Sequence, residues 1–216
     1  MSSESAMSDP RCRTLLVATS NPGKLREFRA ILPREITIVG LADAGATSPE
    51  ETGPTFRDNA ALKASAAARA TGLLTIADDS GLEVDALGGE PGVRSARYAG
   101  EPSDAARNRR ALLNALEHVP AADRGARFVC AVALANQRGV IAVAEGELRG
   151  TIASQERGGG GFGYDPIFEV EDGRSVAELP AAEKNRRSHR AVAIAAILPS
   201  VRAALFDVAD PSGTRR

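Results

Sequence analysis

Apolar and polar positions fall in blocks along this chain, and the blocks differ in period. Thr14-Leu-Leu-Val-Ala18 is a continuous apolar run of strand length and reads as a buried strand. Ser20-Asn-Pro-Gly23 supplies turn residues. Lys24 to Leu32 then puts Leu25, Phe28 and Ile31/Leu32 on one helical face. Ile36 to Val39 predicts a second strand, and the Gly/Pro/Ser/Glu-rich stretch from Asp43 to Pro54 predicts a loop. An Ala-rich helix is predicted from about Thr55 to Ala70, followed by a short strand, Leu73 to Ala77, that ends in Asp78-Asp79-Ser80-Gly81. A helix from about Ser103 to His118 has Ser103 as its expected cap and Leu112, Leu113 and Leu116 as its apolar positions. Arg127 to Ala135 and Val140 to Ala144 predict a hairpin around Asn136-Gln-Arg-Gly139, with a further strand from Glu147 to Ala153. Residues 158–161 are a glycine loop, Tyr164 to Val170 reads as extended, and a last helix runs from Ser188 and bends or ends at Pro199.

Helices alternating with strands, then a run of strands, predict an α/β fold with a mixed sheet. No stretch is long and polar enough to demand two independent domains. One domain is expected over 13–207, with tails at 1–12 and 208–216. Ala191 to Pro199, the longest apolar run, is too short to span a bilayer, and no hydrophobic signal segment opens the chain. A soluble, cytoplasmic protein is the expectation.

Charge sharpens this picture. The 27 Lys+Arg nearly balance the 28 Asp+Glu, which argues against a protein that coats nucleic acid or an anionic membrane. Yet only three of the cations are lysine: Lys24, Lys63 and Lys184. Against such an arginine bias, each retained ammonium is a candidate for work that a compact point charge does and a planar fork does not. Two distant cysteines and two histidines leave no disulfide framework and no zinc-ligand spacing.

Five constellations could bear chemistry. Thr19-Ser20-Asn21-Pro22-Gly23-Lys24 joins a buried strand to a helix, a place where backbone N–H groups and a positive helix end can meet an anion, although it is not a Walker loop. Glu50-Glu51-Thr52-Gly53 precedes Asn59 and Lys63. Asp78 and Asp79 stand at an expected strand end, where open α/β sheets bind ligands, and hard carboxylate oxygens suit Mg²⁺. Gly158-Gly-Gly-Gly-Phe162-Gly163-Tyr164-Asp165-Pro166 formally contains GxGxxG. Without a preceding strand and a following helix it is no dinucleotide fingerprint, but a loop bearing Phe162 and Tyr164 could wrap a planar base. Lys184-Asn-Arg-Arg-Ser188-His189-Arg190 clusters cations around a helix start capped by Ser188. Each of these also has an ordinary structural reading, as a cap, a turn or a solvated face.

In this order and spacing, from Leu15 to about Ala193, the five blocks resemble the inosine triphosphate pyrophosphatase family. The motifs TSNPGK, EETGPTFRDNAALKA, ADDSGLEVDALGGEPGVRSARYAG, GGGGFGYDPIF and EKNRRSHR carry the resemblance, and the three lysines fall on lysines of its pattern. Ala191 departs from it, since many members have glycine after SHR. The resemblance implies an elongated mixed sheet whose helices form two lobes around a nucleotide-binding cleft, usually in a homodimer. It implies Mg²⁺-dependent hydrolysis of ITP, dITP and XTP to the monophosphate and pyrophosphate. By position, Thr19, Ser20, Asn21, Pro22, Gly23 and Lys24 would bind substrate, with Lys63 and Lys184 at the phosphates. Glu51 and Asp79 would hold metal, and Asp79 would accept the proton of water. Ser80, Phe162, Gly163, Tyr164, Asp165, His189 and Arg190 would complete the nucleotide site, with His189, Arg190 and loop N–H groups as candidate donors to a 6-oxo group. A Maf-like pyrophosphatase acting on pyrimidine or modified nucleotides, and a nucleotide-binding protein without turnover, remain alternatives.

Overall fold

The computed structural model describes residues 13–206. Both expected tails, and residue 207, lie outside the described residues. Strand β1 (Thr14–Val17) is followed by helix α1 (Pro22–Ile31), β2 (Thr37–Gly40), α2 (Phe56–Thr71) and β3 (Thr75–Val84). Then come α3 (Ala105–Ala115), β4 (Gly125–Asn136), β5 (Gly139–Ile152), β6 (Phe168–Glu169), α4 (Ala181–Arg187) and α5 (His189–Phe206).

The strands form one mixed sheet in the order β2-β1-β3-β4-β5-β6. β1 pairs in parallel with β2 and β3, and every later pair is antiparallel. Parallel neighbours need a crossover, which α1 and α2 supply, whereas β4 and β5 join through a hairpin. One sheet face, with Leu15, Val17, Ile76, Val132 and Leu134, is covered by Phe28 of α1 and by Ala193, Ile194, Ile197, Val201 and Leu205 of α5. The opposite face packs Leu16, Ala77, Ala131 and Ala133 against Ala60, Ala64, Ala67 and Ala68 of α2. The alanines leave no bulk between helix and sheet, so α2 lies close. A third core gathers Leu82, Val84 and Phe128, from the far halves of β3 and β4, with Leu112, Leu116, Ile167 and Phe168. Each such buried Leu or Phe contributes roughly 1.5–3 kcal/mol. The cleft runs between this core and the α1/α2 end.

Five expectations are corrected. β3 does not stop at Ala77 but continues through Asp78-Asp79-Ser80-Gly81 to Val84. Acidic residues and glycine disfavour strands, but tertiary pairing of those carboxylates overrides propensity. Val140–Ala144 and Glu147–Ile152 are parts of one strand, β5, which stops before Ala153. α3 begins at Ala105, capped by Asp104, whose carboxylate accepts from Arg107 N (2.8 Å), while Ser103 donates instead to Ala96 O. α5 runs through Pro199, because Val201 and Leu205 beyond it are core residues whose burial offsets the roughly 3 kcal/mol a helical proline costs. At 18 residues α5 is therefore long and apolar enough, by length and composition, to cross a membrane. Here its apolar side lies in the core of the sheet. The segment read as extended from Tyr164 makes a 3₁₀ turn at Asp165–Ile167 before the two residues of β6.

Candidate active site

A cavity of about 640 Å³ opens in the cleft, within the range of small-molecule sites. Its wall takes residues from all five constellations: Thr19, Ser20, Asn21 and Lys24; Glu51 and Lys63; Asp79 and Ser80; Phe162, Gly163, Tyr164 and Asp165; and Lys184, His189 and Arg190. Of the expected substrate residues, Pro22 and Gly23 do not line it.

Strand alternation divides the two central carboxylates. Asp79 faces α2. Asn59 Nδ2 donates to its Oδ2 (3.0 Å), Ser80 N donates to its Oδ1 (3.0 Å), and Lys63 Nζ stands 3.6 Å from Oδ1. Lys63 also donates to Glu51 (2.5 Å). Asn59 Oδ1 accepts from Gly53 N (2.7 Å), so one buried amide ties the Glu51 loop to Asp79. Burial pushes the Asp79 carboxyl up from its usual value, more than Lys63 and Lys24 pull it down. Lys63 is held above its ordinary value: burial works against the ammonium, but Asp79, Asp78 and Glu51 outweigh it.

Asp78 faces α1 and α5. Its Oδ2 accepts from Arg190 Nε (3.1 Å) and Nη2 (2.8 Å) and lies 3.1 Å from Lys24 Nζ. Burial opposes this charge, but Lys24, Arg190 and Lys63 overcome it and hold the carboxyl far below the carboxylate range. Arg190, 1 % exposed, also donates to Ser80 Oγ (2.9 Å) and to Glu27. Four of its five N–H groups are thus committed to protein acceptors, which leaves one at Nη1 for a base edge. His189 stacks on Phe128 at 4.9 Å, and its Nδ1 is buried with no partner. Burial, with Arg190 and Lys184 close by, pushes its pKa well below the usual value, so the ring is neutral at pH 7.

Lys184 donates to Asp165 (2.6 Å), lies 2.8 Å from Glu27 and stands 4.7 Å above the Phe162 ring. Asp165 also accepts from Phe162 N (2.8 Å), which folds the glycine loop over the cavity. Burial raises Asp165 despite Lys184. Phe162 lies over Gly23, where an added Cβ would meet the ring at 2.9 Å; that gives Gly23 a role in shaping the site from behind. Tyr164 lines the cavity, and its hydroxyl donates to Ser95 O (2.8 Å), which anchors the loop.

The first block is also corrected in part. Asn21 Oδ1 accepts from Gly23 N (2.8 Å) and Lys24 N (3.2 Å), and Pro22 has no N–H. The helix cap consumes the donors expected to meet an anion, which leaves the Lys24 ammonium with the hydroxyls of Thr19 and Ser20. Ser188 Oγ accepts from Ala191 N (3.1 Å), as a cap of α5 would.

Sequence reasoning missed Glu27 as a partner of Lys184 and Arg190, and it missed Asn108 and Arg109. Glu27 sits three residues after Lys24, on the same helical side, and that spacing was a usable signal. Arg109 donates to Gly163 O (2.9 Å) and pairs with Glu156 (2.9 Å), which steadies the glycine loop. Nothing in an Arg-rich chain marks it out. Among the described residues no three His, Cys, Asp or Glu side chains group to hold a metal. Asp79 and Glu51, joined through Lys63, offer two hard oxygen donors, the number Mg²⁺ uses when phosphates complete its shell. The donor set fits that ion.

A sequence profile of the Ham1 family matches residues 15–200. A dITP/XTP pyrophosphatase of Bacillus licheniformis is 49 % identical over 185 residues, which span 84 % of this chain and 94 % of the relative. One of Geobacillus kaustophilus is 51 % identical, spanning 84 % and 91 %. The solved Ham1 protein of Staphylococcus aureus superposes with a TM-score of 0.78 at 41 % identity, covering 88 % of this chain and 98 % of that one.

Proposed function

Because the chain belongs to the Ham1 family, we propose that it is a pyrophosphatase of the nucleotide pool, cleaving ITP, dITP and XTP between the α and β phosphates. The observation that carries the reading is the meeting of Asp79, Glu51 and Lys63 in a cavity that Lys24, Lys184 and Phe162 also line. Cleavage there needs an aligned water and compensated charge rather than covalent chemistry. Lys24 and Lys63 hold the phosphate chain, exchanging carboxylate partners for phosphate oxygens. Asp79 takes the proton of water, a task helped by its raised affinity for protons. Asn59 fixes which way that carboxylate points. Mg²⁺, held by Asp79 and Glu51, supplies charge neutralisation at the phosphates when bound. Phe162 covers the base, and Lys184, expected at the phosphates but held against the Phe162 ring, lies at the base edge with neutral His189. A site that offers donors to a 6-oxo group rejects an adenine amine.

The chain assembles as a homodimer in this reading. Val140, Ile141, Val192 and Phe206, large apolar side chains left exposed among the described residues, support that. Incubation with Mg²⁺ and ITP, XTP, dITP, GTP, ATP or dTTP tests the reaction. Pyrophosphate from the first three alone is expected; orthophosphate, or turnover favouring dTTP, would break the reading. Light scattering of the same sample should give twice the chain mass, and a monomer would remove the dimer.

A further inference from the structure

We propose that Arg97 is a further substrate-contacting residue, whose guanidinium takes oxygens of the phosphate chain; this rests on the triphosphate reading of the cavity given above. Four other cations line the cavity, and each already faces a carboxylate. Lys24 meets Asp78, Lys63 meets Glu51 and Asp79, Lys184 meets Asp165 and Glu27, and Arg190 meets Asp78 and Glu27. Those five carboxylates outnumber the four cations by one, so this cluster alone does not welcome a polyanion. Arg97 also lines the cavity, half-buried, and among the described residues no hydrogen bond or ion pair engages its guanidinium.

Its backbone, by contrast, is fixed. Arg97 ends the 3₁₀ turn Gly92–Arg97, seated on β3 where Ser95 Oγ accepts from Leu82 N (2.8 Å). Ser95 O accepts from Tyr164 Oη (2.8 Å). Asn108, 3 % exposed, donates to Ala96 O (2.8 Å) and accepts from Ala99 N (2.8 Å). Gly100 N donates to Arg97 O (2.9 Å). Buried polar side chains thus immobilise the chain on both sides of a charged fork that has nothing to hold. Pinning the backbone lowers the ordering cost of using that fork, and a guanidinium matches phosphate with two parallel N–H donors. The turn rests on Gly81 and Leu82 of the strand that bears Asp79, and this places Arg97 on the wall of the cavity that Asp79 also lines. Arginine is so common in this chain that composition gave no hint of it.

Steady-state hydrolysis of ITP, dITP and XTP by the wild type, Arg97→Ala, Arg97→Lys and Arg94→Ala, at several ionic strengths, tests this. Arg97→Ala should lose on the order of a hundredfold in kcat/KM. The loss should be the same for all three bases, because they share the phosphate chain, and the fall of kcat/KM with salt should become shallower. Arg97→Lys should recover part of the loss, Arg94→Ala none should be lost, and every Tm should match the wild type. Arg97→Ala activity within about threefold of wild type would overturn the proposal, as would a loss confined to one base or an unchanged salt dependence. A lowered Tm with no recovery in Arg97→Lys would make the residue structural and also overturn it. A wild type that releases no pyrophosphate from any of the three would instead sink the underlying reading, and this contact with it.

Discussion

Asp78 and Asp79 are neighbours in sequence and opposites in chemistry. β3 turns Asp78 toward α1 and α5, where Lys24 and Arg190 close on one carboxylate oxygen. The strand turns Asp79 toward α2, where a neutral amide and a more distant ammonium meet it. Both are buried, so both pay desolvation. On one face the partner charges exceed that cost and the carboxyl is held ionised. On the other they do not, and the carboxyl holds its proton more tightly than usual. The first arrangement is a lock that joins three elements, and the second is a group poised to exchange a proton. A pair of adjacent aspartates therefore shows little until the sheet assigns each a face.

The sharpest way to break this contrast is to neutralise the lock. Asp78→Asn leaves Arg190 and Lys24 facing a neutral amide inside the protein, and removing one partner of a buried pair typically costs about 3–5 kcal/mol. That is a large share of the roughly 5–15 kcal/mol that holds a domain. Urea denaturation should show a much lower midpoint, and an unchanged midpoint would mean that Asp78 is no lock. The sign with pH agrees. A carboxyl depressed in the folded state contributes stability above its unfolded pKa, and that stability is lost as pH falls toward the folded value.

Asp79→Asn is the opposite case. Turnover of ITP should drop by about 10²–10⁴ through loss of the base. The fold should not weaken, because a carboxyl raised by burial stabilises least once it is ionised. Matched activity and denaturation measurements decide this. Wild-type turnover would remove Asp79 from the chemistry, and a fall in midpoint like that of Asp78→Asn would erase the distinction between the two faces.

Much of this is legible in the sequence. The strand–turn–helix junction at 19–24, the helix after Thr55 and the hairpin at Asn136 follow from local turn and cap chemistry, which neighbouring residues determine. The extent of β3 was not legible. Asp-Asp-Ser-Gly reads as a turn because local propensity ignores charges supplied from 54 residues before Asp78, by Lys24, and 112 residues after it, by Arg190. The same blindness hid the fate of Arg190. Its place in SHR marks it as a ligand for substrate, but Glu27 and Asp78, from two other elements, hold most of its fork. Lys63 was legible for a different reason: a lysine among alanines in a chain of arginines is conspicuous whatever it touches.

Lys63 also offers the finest test of the two-face contrast. Burial raises Asp79, while the Lys63 ammonium pulls it down. The base must be ionised to accept a proton, so kcat/KM should fall as pH drops through the pKa of Asp79, with an acid limb above the ordinary 3.8. Lys63→Met removes the downward pull and leaves the burial, so the limb should move to higher pH. Lys63→Arg keeps the charge and should leave the limb near its wild-type place, even where a bulkier fork weakens phosphate binding and raises KM. pH–rate profiles of the three proteins separate the two effects, since KM reports the phosphate contact and the limb reports the aspartate. A limb that stayed in place in Lys63→Met would mean that Lys63 acts on phosphate alone and that Asp79 is set by its burial and by Asn59.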